Sequence, residues 1–254
     1  MLSKTIELET IKEVPVNPDI REFDSQKWLA YFKKNRDDRI QVNIPNKLEV
    51  KEELHKPLIR SLQRFQIGET GDGLHLKQYA KKYGDSNYLT SVDLFVKEEQ
   101  NHAQILSRVI LALDGKLLAW HWTDFGYITL RRMLGLKTEL MTMFIAEVIG
   151  KCFYKRVFQS AQNSHLEEVF SLIVLDELMH LEFHTQFLAT QMKRYSKWSR
   201  IIIHFLWCLL FYAACLVFVL DHEKGLKALD SSASEFLADS NKVFLKYSRR
   251  ACLL

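Results

Sequence analysis

Two stretches of this chain place a carboxylate three residues before an imidazole: Glu99-Gln100-Asn101-His102 and Glu177-Leu178-Met179-His180. On a helix, positions three apart share one face. The second pair sits in the apolar run Leu175-Asp176-Glu177-Leu178-Met179-His180-Leu181-Glu182-Phe183-His184. A carboxylate and an imidazole on the inner face of a helix are costly unless something pairs them, and a metal ion is one such partner. Two lone glutamates extend the pattern: Glu69 lies thirty residues before Glu99, and Glu147 thirty before Glu177. Each interval has a predicted turn near its midpoint, at Gly84 and at Gln162. In an antiparallel helix hairpin, positions equidistant from the turn lie level with each other. Each half of the chain then sets one Glu beside one Glu-x-x-His. Packing the halves together gathers four carboxylates and two imidazoles in one layer, an inventory that holds two iron or manganese ions in helical bundles.

The same residues have plainer readings. A single Glu-x-x-His is common on solvated helices, so the joint spacing carries the signal. Glu69 stands in Gly-rich surroundings that suit a loop, and Asp72 or Glu52 could take its place. Glu147 interrupts a segment, Met141 to Phe158, that is apolar on nearly every face, so its carboxylate needs a partner. Met141, Met143, Phe144 and Phe153 are core residues first, and wall an oxygen and substrate cavity if metal binds. His75, His121, His165, His204 and His222 read as surface or satisfied core positions.

Helices must position these groups. With 4 Pro and 9 Gly against 16 Phe and 9 Tyr, the chain has few breakers and long periodic runs, which predicts an all-α fold. A helix is expected near 24–36 in an N-terminal arm (1–46) in which no chemistry is legible. Periodicity from Lys47 places Leu54, Leu58, Leu62 and Phe65 on one stripe. Gly71-Asp72-Gly73 weakens that helix before Leu74 to Tyr83 resumes it. Gly84-Asp85-Ser86 stops and restarts the chain, with Asp85 or Ser86 as cap. A second helix is expected over 87–113, a long connection over 115–134, and a third helix over 136–161. Ser164 and Glu167 form a capping-box pattern for a fourth helix reaching about residue 195. The expected organisation is an arm, a metal-binding four-helix bundle (47–195), and a C-terminal pair of helices packed on it (196–254).

Residues 201–220 carry no formal charge and are long enough to cross a bilayer. They are expected to pack on the bundle, or to form a dimer interface, a membrane contact or the wall of a tunnel for a lipid-like substrate. The preceding basic flank, Lys193, Arg194, Lys197 and Arg200, would stay cytoplasmic if the segment spans. The four cysteines form no Cys-x-x-Cys pair and read as reduced thiols. Residues 1–13 lack an apolar run, so no secretory signal is read and a cytoplasmic location, or the cytoplasmic face of a membrane, is the default. A net charge of +4 is mild, and no nucleotide or nucleic-acid motif stands out.

The chain resembles the ferritin-like di-iron carboxylate superfamily. Asp176-Glu177-x-x-His180 with Glu98-Glu99-x-x-His102 is similar to the motifs of acyl-carrier-protein desaturases and ribonucleotide reductase small subunits. Leu134-Gly135-Leu136, Glu139-Leu140, Ala146-Glu147-Val148 and Tyr154, with Asp176-Glu177-x-x-His180-x-x-Phe183-His184, resemble a bacterial group of ferritin-like domain proteins of unassigned activity. The resemblance covers roughly residues 55–195. It implies a ferritin-like four-helix bundle with an additional hydrophobic helix, and metal ligands Glu69, Glu99, His102, Glu147, Glu177 and His180. It further implies that Asp176 orients His102 and Glu98 orients His180. His184, on the same face as His180, is either a third imidazole ligand or a partner of a ligand. The implied activity is an oxidase or oxygenase with two iron ions, or a mixed Mn/Fe pair. It would use O2 and an electron donor to hydroxylate or desaturate a bound substrate, and the aromatic-rich surroundings and the hydrophobic segment 201–220 favour an apolar, lipid-like one. The alternatives are a ferroxidase or iron-handling protein, a membrane-associated quinone hydroxylase or quinol oxidase, and a metal-free helical interaction module.

Overall fold

The computed structural model describes residues 23–121 and 136–253. These form eight helices and no strand: α1 (Ser25–Asp37), α2 (Glu52–Gly68), α3 (Leu74–Tyr83), α4 (Ser86–Ala112), α5 (Leu136–Ser160), α6 (Ser164–Met192), α7 (Lys197–Ala228) and α8 (Ala233–Cys252). The all-α expectation holds. Part of the predicted 115–134 connection, and Leu134-Gly135 of the resemblance, lie outside the described residues. So does the N-terminal stretch read for a secretory signal.

The helices α2, α4, α5 and α6 form the bundle, with α2 on α4, α5 on α6, and α4 against α6. The expected stripe of α2 is buried at Leu54, Leu58 and Leu62. The arm helix α1 lies along α4 and sends Trp28 and Phe32 into the core. There they meet Phe183, whose ring centroid is 5.2 Å from Trp28 and 5.1 Å from Phe32. Trp28 Nε1 donates to Gln186 Oε1 at 2.9 Å, so the indole is buried without an orphaned donor.

Three local expectations need correction. The α2 helix begins at Glu52 rather than near Lys47, because the Leu48 N–H is used elsewhere, donating to the Ala112 carbonyl at 2.7 Å. Ser164 is not the cap of α6. Asn163 is, because its amide serves two partners: Oδ1 accepts from the N–H groups of His165 and Leu166, and Nδ2 donates to the Glu49 carbonyl. The first half of the bundle is not a plain hairpin turning at Gly84 either. The chain leaves α2 at Gly68 and makes the separate helix α3 across α4 and α5 before Asp85 caps α4.

The break before α3 depends on Gly73, which takes φ 64°, and a Cβ there would fall 2.4 Å from Val96 Cγ2. Gly73→Ala combines left-handed strain with this clash, so it is expected to cost ~1–3 kcal/mol in urea unfolding.

The long apolar helix α7 packs on α2, α5 and α8. It runs antiparallel to α8, since His204 meets Ser248, Tyr212 meets Asn241 and Phe218 meets Phe236. Packing on the bundle describes one face only. Trp207, Phe211, Cys215 and Phe218 are buried, while only 22% of the most apolar stretch of the helix is.

Candidate metal centre

The six residues expected to act as ligands come together. Glu69 follows the last turn of α2, Glu99 and His102 come from α4, Glu147 from α5, and Glu177 and His180 from α6. Their donor atoms form two groups, each with all its atoms within 4.8 Å of one another: Glu69, His102 and Glu177 in one, and Glu99, Glu147, Glu177 and His180 in the other. Glu177 belongs to both. The rivals of Glu69 are elsewhere: Glu52 is exposed on the first turn of α2, and Asp72 Oδ1 accepts from the Leu74 N–H at 3.0 Å.

The donors face inward, and part of each set lacks a hydrogen bond. One buried atom of each of the six residues lacks a hydrogen bond: Glu69 Oε2, Glu99 Oε1, Glu147 Oε2, Glu177 Oε2, His102 Nδ1 and His180 Nδ1. His180 Nδ1 lies 2.9 Å from Glu99 Oε1, 3.4 Å from Glu147 Oε2 and 3.8 Å from Glu177 Oε2. These are ion-pair contacts without hydrogen-bond geometry, so His180 Nδ1 and the facing glutamate oxygens are left without a hydrogen bond. His102 Nδ1 is similarly placed, 3.6 Å from Glu177 Oε1 and 3.8 Å from Glu99 Oε1. Unpartnered polar atoms are uncommon inside proteins, and this many converging donors fit a cation at their centre.

The outer ring atoms are satisfied crosswise. His102 Nε2 meets Asp176 Oδ2 at 3.0 Å, and His180 Nε2 meets Glu98 Oε2 at 2.9 Å. Donation of each Nε2–H to a carboxylate leaves Nδ1 as the lone-pair atom turned to the cluster.

The sequence reading missed the next tier. Asn35 Nδ2 donates to Glu98 Oε1 at 2.7 Å and to Asp176 Oδ1 at 3.2 Å, and Arg39 Nη2 donates to Asp176 Oδ2 at 2.9 Å. Arg39 Nε also donates to Asn101 Oδ1 at 2.9 Å, tying the arm to the first Glu-x-x-His. No spacing signal in the arm pointed to these residues. Tyr154, quoted only for the resemblance, donates its hydroxyl to Glu69 Oε1. Arg39→Ala is expected to weaken metal binding by ~10–100-fold while leaving all six donors in place, as is usual for partners that orient ligands. A chelator-competition titration reads that loss.

Without a cation, burial and mutual repulsion favour protons on three of the four carboxyls. Burial pushes the Glu177 carboxyl well up, and the Glu147 charge pushes it further. Burial likewise raises Glu147, with the Glu99 charge adding to it, and raises Glu69. Burial also acts against Glu99, but the neighbouring His180 overcomes it and holds that carboxyl low. For His102, burial alone would lower the pKa, yet the bond to Asp176 and the charges of Glu99 and Glu177 lift it to about 9.

His184 lies outside both donor groups. It is buried, 3.8 Å from Glu147 Oε1 through Nε2, with its ring edge-on to Phe95 at 4.9 Å. Burial and the nearby His180 push its pKa down to about 3, so it stands neutral beside the cluster.

A cavity of about 490 Å³ opens from Glu69, Glu99, Glu147 and Glu177. Its other walls are mostly apolar, and α7 supplies Leu210, Ala214, Val217 and Phe218. Of the four residues expected to wall a cavity, only Met143 does so. Phe144 turns to Trp207 and Phe244, Phe153 packs on Phe65 and Phe218, and the Met141 carbonyl accepts from Trp207 Nε1 at 2.9 Å. They lie on the faces of α5 covered by α7, α8 and α2. His222, read as surface or satisfied core, is buried in the cavity wall near Arg64 and Asp221.

No protein-family model, curated protein or solved structure matches this chain.

Proposed function

We propose that this protein is a ferritin-like, dinuclear metal oxidoreductase that uses O2 to hydroxylate or desaturate an apolar substrate. The observation that carries this reading is the junction of two donor groups through Glu177, opening directly onto a large apolar cavity. Glu69, His102 and Glu177 would hold one metal. Glu99, Glu147, Glu177 and His180 would hold the other, with iron in both positions or a Mn/Fe pair. When bound, such a pair supplies the redox chemistry towards O2 that side chains lack.

The protein's own contribution is placement and exclusion of water. Asp176 and Glu98 fix the two imidazoles, Arg39 and Asn35 hold those acids, and Tyr154 orients Glu69. The apolar walls select substrate by shape and keep water from the cluster. Hydroxylation and desaturation each draw two electrons and two protons from a donor besides the substrate, so a reductant partner is part of this reading. An apolar cavity of this size suits an organic substrate better than Fe(II), which favours this reading over an iron-handling one.

The deciding experiment loads purified protein anaerobically with Fe(II), counts bound metal, and then follows O2 uptake. Two metals per chain and uptake that scales with them are expected. Protein that binds no metal would overturn the reading.

A further inference from the structure

We propose that α7 docks the protein on the surface of an anionic bilayer without crossing it, and that the cavity draws a lipid-chain substrate directly from that bilayer. The substrate part rests on the oxidoreductase reading, while the docking part does not.

The exposed face of α7 is continuous and apolar. Ile202, Phe205, Leu206, Leu209, Leu216 and Leu220 are each more than half exposed. From Trp198 to Leu220 the stripe runs for roughly 33 Å at 1.5 Å per residue. Monomeric soluble proteins rarely leave a patch of this kind uncovered.

The surroundings say what covers it. No Asp or Glu occurs between Glu182 and Asp221, and the same interval holds Lys193, Arg194, Lys197 and Arg200. The start of α7 is therefore basic. Trp198, 76% exposed, and Tyr195 add amphipathic aromatic rings there. An apolar stripe with a basic, aromatic end matches an acyl layer beneath anionic headgroups.

Crossing is excluded by α8. This helix lies antiparallel along α7 and carries Asp239, paired with Arg156, together with exposed Lys242 and Lys246. A spanning α7 would drag these charges into hydrocarbon at ~2.5–3.5 kcal/mol each near the centre. Lying in the interface leaves them in water.

The cavity opens on the same face. Val217 is both a cavity wall and 44% exposed. Ala213, also lining the cavity, is exposed, as is Ala146, the residue before Glu147 in an otherwise buried stretch of α5. Small side chains leave the wall open there. A second copy of the chain seated on this face would close that mouth, whereas a bilayer would fill it with acyl chains. Bilayer docking thus explains the exposed stripe and the open mouth together.

The test is flotation of metal-loaded protein with vesicles of equal parts phosphatidylcholine and phosphatidylglycerol. Wild type is expected to float. The variant Ile202→Glu/Leu206→Glu/Leu209→Glu/Leu216→Glu alters only exposed positions outside the cavity, and is expected to remain in the aqueous fraction with unchanged metal content and helicity. Spin-labelled stearic acid in the vesicles should give an immobilised spectrum with wild type. That signal should be lost with Ala213→Trp, which still floats. If wild type does not float, or the glutamate variant floats equally well, docking is overturned. A wild-type dimer that the glutamate variant dissociates, with no vesicle binding, would assign the face to a second copy. Flotation without any bound metal would leave docking standing and overturn the oxidoreductase reading together with the substrate part that rests on it.

Discussion

Glu177→Ala is expected to strip metal from both donor groups, whereas Glu69→Ala strips it from one. The asymmetry follows from the geometry: Glu177 offers oxygens to both groups and Glu69 to one. Removing Glu177 also leaves His102 Nδ1 and His180 Nδ1 without a carboxylate they now share. The loss should exceed the ~10–100-fold typical of an orienting partner, because a direct donor is gone from each position. Metal content after anaerobic loading, with circular dichroism as the control for folding, reads the difference. Helical content is expected to hold, since Glu177 has buried neighbours on α6, such as Val174 and Leu181, that fill the core. Equal metal retention in the two variants would sink the shared-ligand arrangement.

Metal loading is expected to stabilise the protein strongly, and increasingly so as pH rises. At a metal concentration a thousand times Kd, each site adds ~4 kcal/mol. At ~2–4 °C per kcal/mol for a chain of this size, that is a Tm rise of ~8–16 °C per site. The pH trend comes from the metal-free state. His102 has its folded pKa lifted to about 9, above the ~6.5 of an unfolded histidine. Its contribution to stability is complete below the unfolded value and is lost as pH rises through about 9. The raised carboxyls of Glu69, Glu147 and Glu177 act in the same direction, because the folded state binds their protons more tightly than the unfolded chain does. The metal-free protein therefore weakens from pH 6 to 9, while metal, which displaces those protons, binds more tightly over the same range. Differential scanning calorimetry with and without metal should show the gap in Tm widening with pH. A constant gap would contradict the protonated metal-free cluster. Glu147→Gln should weaken metal binding, since it removes a donor, and flatten the fall in metal-free Tm with pH, since it removes one carboxyl that holds its proton more tightly in the folded state.

Much of the fold could be read along the chain. Helix ends at Asp85, Gly84 and Ser160 fall close to their expected places because capping and glycine signals are local. The convergence of the six candidate donors was readable for a related reason: a three-residue spacing is a statement about one helix face, and it survives whatever that helix packs against. The choice of Glu69 over Asp72 or Glu52 was not local. It required the chain to leave α2 at Gly68 and turn at Gly73, so that Glu69 faces Tyr154 and His102 rather than solvent.

The sequence alone determined that the chain is helical, that six donors share a periodic arrangement, and that residues 201–220 are apolar. Only the tertiary structure decided that Arg39 and Asn35 of the arm clamp the acids behind the histidines. It also decided that His184 stands beside the cluster rather than within a donor group, and that α7 buries one face and leaves the other exposed. The physical reason is the same in each case. Periodicity reports the faces of one helix, while the contacts between helices depend on their relative register and rotation, which packing of the whole core selects.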